Sequence, residues 1–487
     1  MLYNTRERPL FFYFLPNLVQ LLSWQSGRLS HILGVVMLVL IVLKTPPVQA
    51  QSLNLNQALE AGVTNYPLMK AKEAEVKSAA QKVKTVQTEY LPAFTAQHQY
   101  TYATNNSVTG SYFPNEGTAL SPSGGIRADN IYKPVFGSFT SALLDWKVIN
   151  FGKVAANVNV AQASAATAVR DYENSVFQHK IKIIDAYLTL LATQKLHEVQ
   201  AYNVERARIF QEIINVSVIS GLRPGVDTAL AKTELIKANL LLLESERNQK
   251  AQLYRLAELT GKIQEFAVDS MQFFTELPAE LNITPDNLLQ TPVLRLFKAQ
   301  ENVSRLRATA IRRSFYPSVS LIGSAWARGS GVSNQDDSYR TDFASGTQYQ
   351  VYNYLLGAAI RWNFTNYFRV RHDYIGEKYQ TERFNQLYQE QQLQQERLLK
   401  ESDLQFKLAL EQARLAPVQL QTAQSAFQQA QARYESGFTD LPTFTQSLVA
   451  LNRAEADKYV AYIGAWRALL QKAAGSGQVD DFLNQLK

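Results

Sequence analysis

Residues 90–102 read YLPAFTAQHQYTY, and residues 315–326 read FYPSVSLIGSAW. Each stretch opens with an aromatic residue and a proline and then alternates apolar or aromatic side chains with polar ones. A period of two predicts a β-strand that has one apolar face. Pro92 and Pro317 are 225 positions apart, which indicates that the chain contains an internal duplication.

Further landmarks recur in the same order in the two halves. The other pairs are Pro67 with Pro292 at the same offset of 225, and Trp146 with Trp362 and Gly221 with Gly437 at an offset of 216. The change of offset predicts that one loop is nine residues shorter in the second half.

Each half also contains a second candidate strand. Loops rich in Gly, Ser, Asn and Pro, at about 103–137 and 329–349, separate the first strands from second strands at about 138–148 and 352–364. Trp146 and Trp362 fall near the ends of these second strands. We predict that they form an aromatic girdle at a membrane interface.

The longest helical segments follow the strands. They run from 152 to 221 and from 368 to 437, 69 positions in both cases, or roughly 100 Å at ~1.5 Å per residue. A heptad pattern in the first, Val169, Val176, Ile183 and Leu190, favours coiled-coil packing. Glycine-rich breaks then lead into return helices that end at about 261 and 474, so each half is a helical hairpin. The first return helix is too short to cover its long partner unless it stacks end to end with the helix at 67–90.

The first 50 residues resemble an export signal. Arg28 precedes an apolar run of 12 residues at 32–43, and Val48 and Ala50 provide the small residues of a cleavage site. A retained N-terminal anchor is the alternative. The predicted organisation is a signal peptide at 1–50, a first repeat at 51–261, a connector outside the helical body at 262–290, a second repeat at 291–475 and a C-terminal tail at 476–487.

Composition excludes several classes of function. The chain has no cysteine, which rules out disulfides, thiolate metal sites and a lipid anchor attached through a cysteine. Its net charge of +7 falls to +4 without the first 50 residues, too little for a nucleic-acid surface. There is no zinc-helix His pair, phosphate loop or nucleophile elbow, so we expect no enzyme activity, cofactor or metal. His179 lies on the heptad seam and is interpreted as a packed or tunnel-facing residue.

The strand count predicts an oligomer. Four strands cannot close a barrel, whose filled interior takes about eight, and open sheet edges are not tolerated in lipid. Three chains would supply twelve strands. A homotrimer is therefore the smallest assembly that we expect.

The ordered motifs resemble the TolC-like outer-membrane efflux proteins. They are Leu55-Asn56-Gln57-Ala58-Leu59, Asn65-Tyr66-Pro67, Tyr90-Leu91-Pro92, Leu144-Asp145-Trp146 through Phe151-Gly152, Ser220-Gly221 with Asp227, Tyr316-Pro317 and Arg433-Tyr434-Glu435-Ser436-Gly437. The resemblance implies a mixed fold, in which a trimer builds a twelve-stranded outer-membrane barrel and a long periplasmic tunnel of α-helices. It also implies an exit duct of a tripartite pump or type I secretion system, which works with a periplasmic adaptor and an inner-membrane transporter.

The hairpin turns are the candidate functional sites. We expect Gly221, Leu222, Gly437 and Phe438 to meet the adaptor, and Asp440, Thr443 and Gln446 to form the periplasmic gate. The family often has an acidic residue where this chain has Thr443, so Asp440 is the candidate for a charged ring. Asp440 is equally well placed to cap the following helix.

A different class of protein also fits part of the pattern. An exported periplasmic coiled-coil scaffold or pump adaptor would explain the long helices. It would have no need of four alternating segments, or of tryptophans at strand ends, and the sequence therefore favours the channel.

Overall fold

The computed structural model describes residues 52–104, 129–261, 267–268, 271–281, 283, 289–333 and 335–486. The predicted signal peptide and its cleavage site lie outside these residues, as does most of the first strand loop. The chain divides into two units. The described part of the smaller unit is a parallel pair of two-residue strands, Ser52–Leu53 and Ala267–Val268. Everything below concerns the larger unit.

A four-stranded antiparallel sheet forms from the alternating segments. Its strands are β1 (Ala93–Ala103), β2 (Val135–Ile149), β3 (Ser318–Ser330) and β4 (Val351–Arg361), paired in chain order. The predicted strands are confirmed, although the fourth ends at Arg361 rather than near 364. The pairing stops there because Arg361 lies opposite Ser318, the first residue of β3, and Pro317 before it has no N–H to donate.

The helices account for most of the described chain. They are α1 (Leu55–Asn65), α2 (Pro67–Gln87), α3 (Lys153–Ile219), α4 (Gly225–Thr260), α5 (Met271–Thr275), α6 (Pro292–Arg313), α7 (Phe343–Thr347), α8 (Asn366–Glu435), α9 (Leu441–Ser476) and α10 (Val479–Asn484). The two long helices, α3 and α8, contain 67 and 70 residues. Both predicted hairpins, α3 with α4 and α8 with α9, are confirmed.

The helices pack side by side in a fixed order. In the part of the helical body next to the sheet, α2 contacts α3, α3 contacts α6, and α6 contacts α8. In the part next to the hairpin turns, α4 contacts α3, α3 contacts α9, and α9 contacts α8. Each part is therefore a row of four helices, with α8 at one edge and a shorter helix, α2 or α4, at the other.

The short helices meet end to end, as predicted. Gly261 ends α4 with φ +69°, and a Cβ there would lie 3.0 Å from Asn65, next to the start of α2. Gly477 repeats the arrangement at the end of α9, with φ +78° and Thr291 at 3.3 Å. Only glycine fits such a left-handed turn without strain. Both halves of the duplication thus build the same junction.

His179 of α3 lies at the first of these junctions. Its ring stacks on Tyr66 with centroids 4.2 Å apart, and its Nε2 lies 3.0 Å from the Leu259 carbonyl. Burial lowers the pKa of His179, which favours the neutral ring. The interpretation as a packed residue is confirmed.

The segment after α4 and the C-terminal tail both pack on α9. The Trp466 ring contacts Phe273 of α5 and Phe482 of α10, and its indole N–H donates to the Glu276 carbonyl at 3.2 Å. Lys472 is buried and forms ion pairs with Glu280 and Asp403 at 3.1 and 2.6 Å. Among the described helices, none is long and apolar enough to cross a membrane.

Candidate functional site

The register of the sheet gives it one apolar and one polar face. Phe94 pairs with Leu144, Leu144 with Gly323, and Gly323 with Leu356, so these side chains share a face. This face, which we call the outward face, contains these residues: Phe94, Ala96, His98, Tyr100, Tyr102, Phe136, Ser138, Thr140, Ala142, Leu144, Trp146, Ile149, Val319, Leu321, Gly323, Ala325, Ala327, Gly329, Tyr352, Tyr354, Leu356, Ala358 and Ile360. It has no Asp, Glu, Lys or Arg, as a surface in contact with lipid requires.

The opposite face carries charged and amide side chains. Asp145, Lys147, Arg328 and Arg361 lie on it, together with glutamines of β1. Arg361 forms an ion pair with Asp145 at 3.1 Å. A cleft of about 890 Å³ opens here, where the sheet meets the first turns of α3 and α8. This polar face suits a water-filled lumen.

The two predicted girdle tryptophans occupy equivalent positions in the duplication. Trp146 donates its indole N–H to the Tyr90 carbonyl at 3.0 Å, and Trp362 donates to Phe315 at 3.1 Å. Both acceptors precede the proline that opens a strand. The rings therefore lie at the end of the sheet that adjoins the helices. We expect the boundary between membrane and water on the helical side of the protein to lie there.

The hairpin turns are built in the same way at 221 and 437. Gly221 and Gly437 have φ of +71° and +80°, and nothing lies within 4 Å of a Cβ at either position. In each turn the residue after the glycine bonds back into the long helix, Leu222 to Ser217 at 2.9 Å and Phe438 to Arg433 at 2.8 Å. This is a Schellman-type ending, which satisfies the last carbonyls of the helix. It leaves the Leu222 and Phe438 side chains exposed.

An aromatic cluster joins the two turns. Tyr434 of α8 is only 4% exposed and packs with Phe210 of α3 and Phe444 of α9. The Arg223 guanidinium lies 4.3 Å from the Tyr434 ring centroid and donates to the Tyr434 carbonyl. The Tyr434 hydroxyl donates to Asp227 at 3.4 Å, and burial together with the Asp227 charge raises the pKa of Tyr434. Near the turns, the first hairpin thus contacts the second through the side chain of Tyr434.

Further along the helices, polar contacts tie α3 to α9. Arg206 binds Glu455 through two hydrogen bonds of 2.8 and 2.6 Å, a bidentate geometry that is among the stronger ion-pair arrangements. Arg467 binds Asp185 at 2.7 Å. Any movement of α9 away from α3 has to break these contacts.

The three predicted gate residues lie on the first turns of α9. Asp440 is the N-cap, and its carboxylate accepts the Thr443 backbone N–H at 3.1 Å. Hydrogen bonds from the Thr443 side chain and backbone lower the pKa of Asp440, so the group stays ionised at neutral pH. Thr443 and Gln446 are exposed. The structure therefore brings Asp440 and Thr443 together in a cap.

Sequence reasoning missed the residues that join the hairpins. Arg223, Phe210 and Phe444 belong to no recognised motif. Arg223 and Phe210 contact Tyr434 from more than 200 residues away in the sequence, and Phe444 contacts it from the next helix. Tyr434 did lie in a quoted motif, but nothing in the motif showed its partners. Within the described part of the chain, no group of three or more His, Cys, Asp or Glu residues is placed to hold a metal ion.

A family model supplies the identification. The model of the outer membrane efflux proteins matches residues 55–262 and 285–469, one segment for each half of the duplication. The chain therefore belongs to the outer membrane efflux protein family. It is an outer-membrane efflux channel protein with a large helical periplasmic part, and the scaffold interpretation is set aside.

Solved structures share this fold. The outer membrane channel CmeC of Campylobacter jejuni has a TM-score of 0.70 at 16% identity, and covers 89% of this chain and 88% of its own. VceC, an outer membrane protein of Vibrio cholerae, gives 0.68 at 15% identity with 87% and 96% coverage. MtrE, an outer membrane channel of Neisseria gonorrhoeae solved in its open state, gives 0.67 at 15% identity with 89% and 94% coverage. No curated protein sequence matches this chain.

Proposed function

We propose that three copies of this chain form a closed twelve-stranded barrel that continues into a helical duct. The observation that carries the proposal is the pair of free sheet edges. β1 and β4 are the outer strands of the sheet, both are eleven residues long, and they run antiparallel to each other. The β4 edge of one copy can therefore pair along its full length with the β1 edge of the next. We expect the detergent-extracted protein to have the mass of three chains.

The helical rows support the same assembly. Their edge helices carry exposed apolar side chains spaced by three, four or seven residues. On α4 these are Ile236, Leu240 and Leu243, and on α8 they are Leu404, Leu408, Leu415 and Val418. Exposed apolar seams of this kind pack against another helix. A ring of three copies would pair each α4 seam with the α8 seam of a neighbour and leave no edge open.

In the proposed assembly the hairpin turns are the docking site for a periplasmic adaptor, and an inner-membrane transporter loads the duct. The turns lie at the far ends of α3 and α8, roughly 100 Å from the strands at ~1.5 Å per residue. Their exposed Leu222 and Phe438 side chains offer an apolar contact without any rearrangement of the backbone. The protein acts as an exit duct, without catalysis of its own.

Substitution of the turn glycines tests the docking site. We expect Gly221→Val and Gly437→Val to reduce export strongly while trimers still form, because a β-branched residue is strained at positive φ by roughly 1–2 kcal/mol. Gly225→Val is the matched control, since Gly225 has equally open surroundings but no positive φ. Export is measured as resistance to a pump substrate in cells that lack the native channel. Normal export by both turn variants would place docking elsewhere.

The proposed periplasmic gate is the ring of three Asp440 carboxylates, with Thr443 and Gln446 beside them. Asp440 has a lowered pKa, so its charge is lost only as the pH falls through a value below the usual one of 3.8. If the carboxylates face the axis, the ring favours cations at all pH values above that point. The contribution of this cap to the stability of the folded protein has the same pH dependence. Because the pKa of Asp440 is lowered in the folded state, the contribution is present at higher pH and is lost as the pH falls through that pKa.

Two substitutions at position 440 separate charge from capping. Asp440→Asn keeps a good N-cap but removes the charge, and we expect a loss of cation preference with almost unchanged thermal stability. Asp440→Ala removes both, and we expect it also to lower the thermal stability. Reversal potentials in planar bilayers under a salt gradient measure the preference. Unchanged selectivity in Asp440→Asn would leave Asp440 with its capping role alone.

A further inference from the structure

The link between β3 and β4 folds back onto the sheet instead of projecting away from it. Three glycines allow the contact. A Cβ on Gly346 would lie 2.3 Å from the Phe136 carbonyl oxygen, one on Gly329 would lie 2.2 Å from that of Gln348, and one on Gly331 would lie 2.3 Å from that of Arg340. These distances are too short for any other residue. We call residues 342–349, which include α7, the strap.

The strap contacts the sheet on its outward face. The Phe343 ring packs against Tyr100 and Phe136, with centroids 5.6 and 5.2 Å away. The Ser138 hydroxyl, which is fully buried, donates to the Thr347 carbonyl at 3.1 Å. At the end of the strap the Tyr349 hydroxyl hydrogen-bonds with Thr140, and Thr140 with His98 Nδ1 at 2.6 Å. The strap therefore covers the face that has no charged residue, not the polar face.

The position of the strap along the strand coincides with the far edge of the apolar band. Trp146 and Phe136 lie on the outward face of β2, and ten residues of strand correspond to about 34 Å. At the ~40° tilt of such barrels this is roughly 26 Å along the membrane normal, close to the ~25 Å height of a lipid-facing band. The strap and the girdle tryptophan thus lie at opposite boundaries of the membrane.

The composition of the strap fits such a boundary. From Phe343 to Tyr349 it has no charged residue, and Phe343 is 54% exposed. Its neighbours on the outward face are aromatic, Tyr100, Tyr102 and Tyr352, and they too are exposed. Aromatic rings with hydroxyl groups favour the region where acyl chains meet polar headgroups. The charged residues Arg340 and Asp342 shortly precede Phe343 in the chain, and we expect the chain to leave the lipid and enter water there.

We propose that the strap is a lipid-binding surface, which contacts the headgroup region of the outer leaflet through Phe343 and Tyr349. The occupant follows from continuity with the outward face, the membrane surface of an outer-membrane protein. Thr140 and its partner His98 lie four residues inside the Phe136 end of the apolar band, and their hydrogen bonds with the Tyr349 hydroxyl satisfy polar groups that would otherwise face lipid. The link between β3 and β4 accordingly anchors the barrel in lipid and does not close the mouth of the lumen.

Spin labelling of single cysteines tests the proposal cleanly, because the chain has no cysteine of its own. Phe343→Cys would be labelled in the full-length protein in liposomes, and its collision rates with oxygen and with a water-soluble nickel chelate compared. Gln335→Cys is the control in water, and Leu356→Cys, on the outward face of β4, is the control inside the apolar band. Ala344→Cys, at an exposed position of the same helix, repeats the measurement if Phe343→Cys fails to fold.

We expect both strap labels to give oxygen collision rates between those of the two controls and nickel rates at least several-fold below that of Gln335→Cys. Nickel rates equal to the water control would overturn the proposal, since the strap would then lie outside the lipid. Rates matching Leu356→Cys would also contradict it, because the strap would be in the hydrocarbon core. Low rates with both probes would show that protein, not lipid, covers the strap.

Discussion

Leu356→Arg is expected to abolish assembly of the channel in the outer membrane, whereas Leu355→Arg is expected to permit it. Leu356 lies in the middle of β4 on the outward face and is 81% exposed. An arginine on the lipid face of a barrel costs about 2–4 kcal/mol at the bilayer midplane and less towards either boundary. Each chain of the proposed trimer would carry this cost, which is a large fraction of the roughly 5–15 kcal/mol by which folded proteins are stable.

Leu355 is the matched control because it is the adjacent residue of the same strand. It pairs with Ser324 and lies on the polar face, where an arginine would join Arg328 and Arg361 in water. The measurement is the amount of heat-sensitive trimer in the outer-membrane fraction. Equal amounts of trimer from the two variants would contradict our assignment of the faces.

The double substitution Tyr434→Ala with Arg223→Ala is expected to open the periplasmic end. Tyr434 is the buried centre of the cluster that joins the two hairpins, and removal of a buried aromatic side chain costs about 3–5 kcal/mol. If this energy holds the hairpins together, its loss shifts the balance between closed and open arrangements by at least roughly 100-fold. In the proposed trimer three equivalent clusters would surround the axis, so the effect would be repeated three times.

Single-channel conductance in planar bilayers measures this opening. We expect the double variant to conduct far more than the unmodified channel, and Tyr434→Phe, which loses only the hydrogen bond to Asp227, to lie between them. Tyr254→Ala removes an exposed tyrosine of α4 and provides the control. An unchanged conductance in the double variant would mean that the cluster does not hold the gate.

Much of the fold could be predicted because periodicity and duplication were both strong. The alternation in residues 93–103 reflects a sheet with two different faces, and the heptads of α3 reflect a helix packed on one side. The glycines at 221, 261 and 437 could be found because positive φ demands a specific residue. The duplication then doubled each of these signals, since a landmark in one half predicted its counterpart in the other.

The contacts between the halves could not be predicted in this way. Arg223 and Asp227 belong to the first hairpin and Tyr434 to the second. They form a site only because the two hairpins pack together, and the sequence of one hairpin does not show which residues of the other it contacts. The strap was missed for a related reason. Residues 329–349 are rich in Gly and Ser, which predicts a loop, but the fold-back depends on Phe136 and Ser138 from a distant strand.

The central claim is that β4 of one copy pairs with β1 of the next, and paired cysteines test it most directly. With the two eleven-residue edges fully overlapped, Gln99 lies opposite Leu355, and both belong to the polar face. We predict that Gln99→Cys combined with Leu355→Cys, or with Asn353→Cys or Gly357→Cys to allow for stagger, gives a disulfide ladder of two and three chains after oxidation of outer membranes. Each single-cysteine variant should give none. Monomer alone from all three pairs would contradict the closed trimeric barrel.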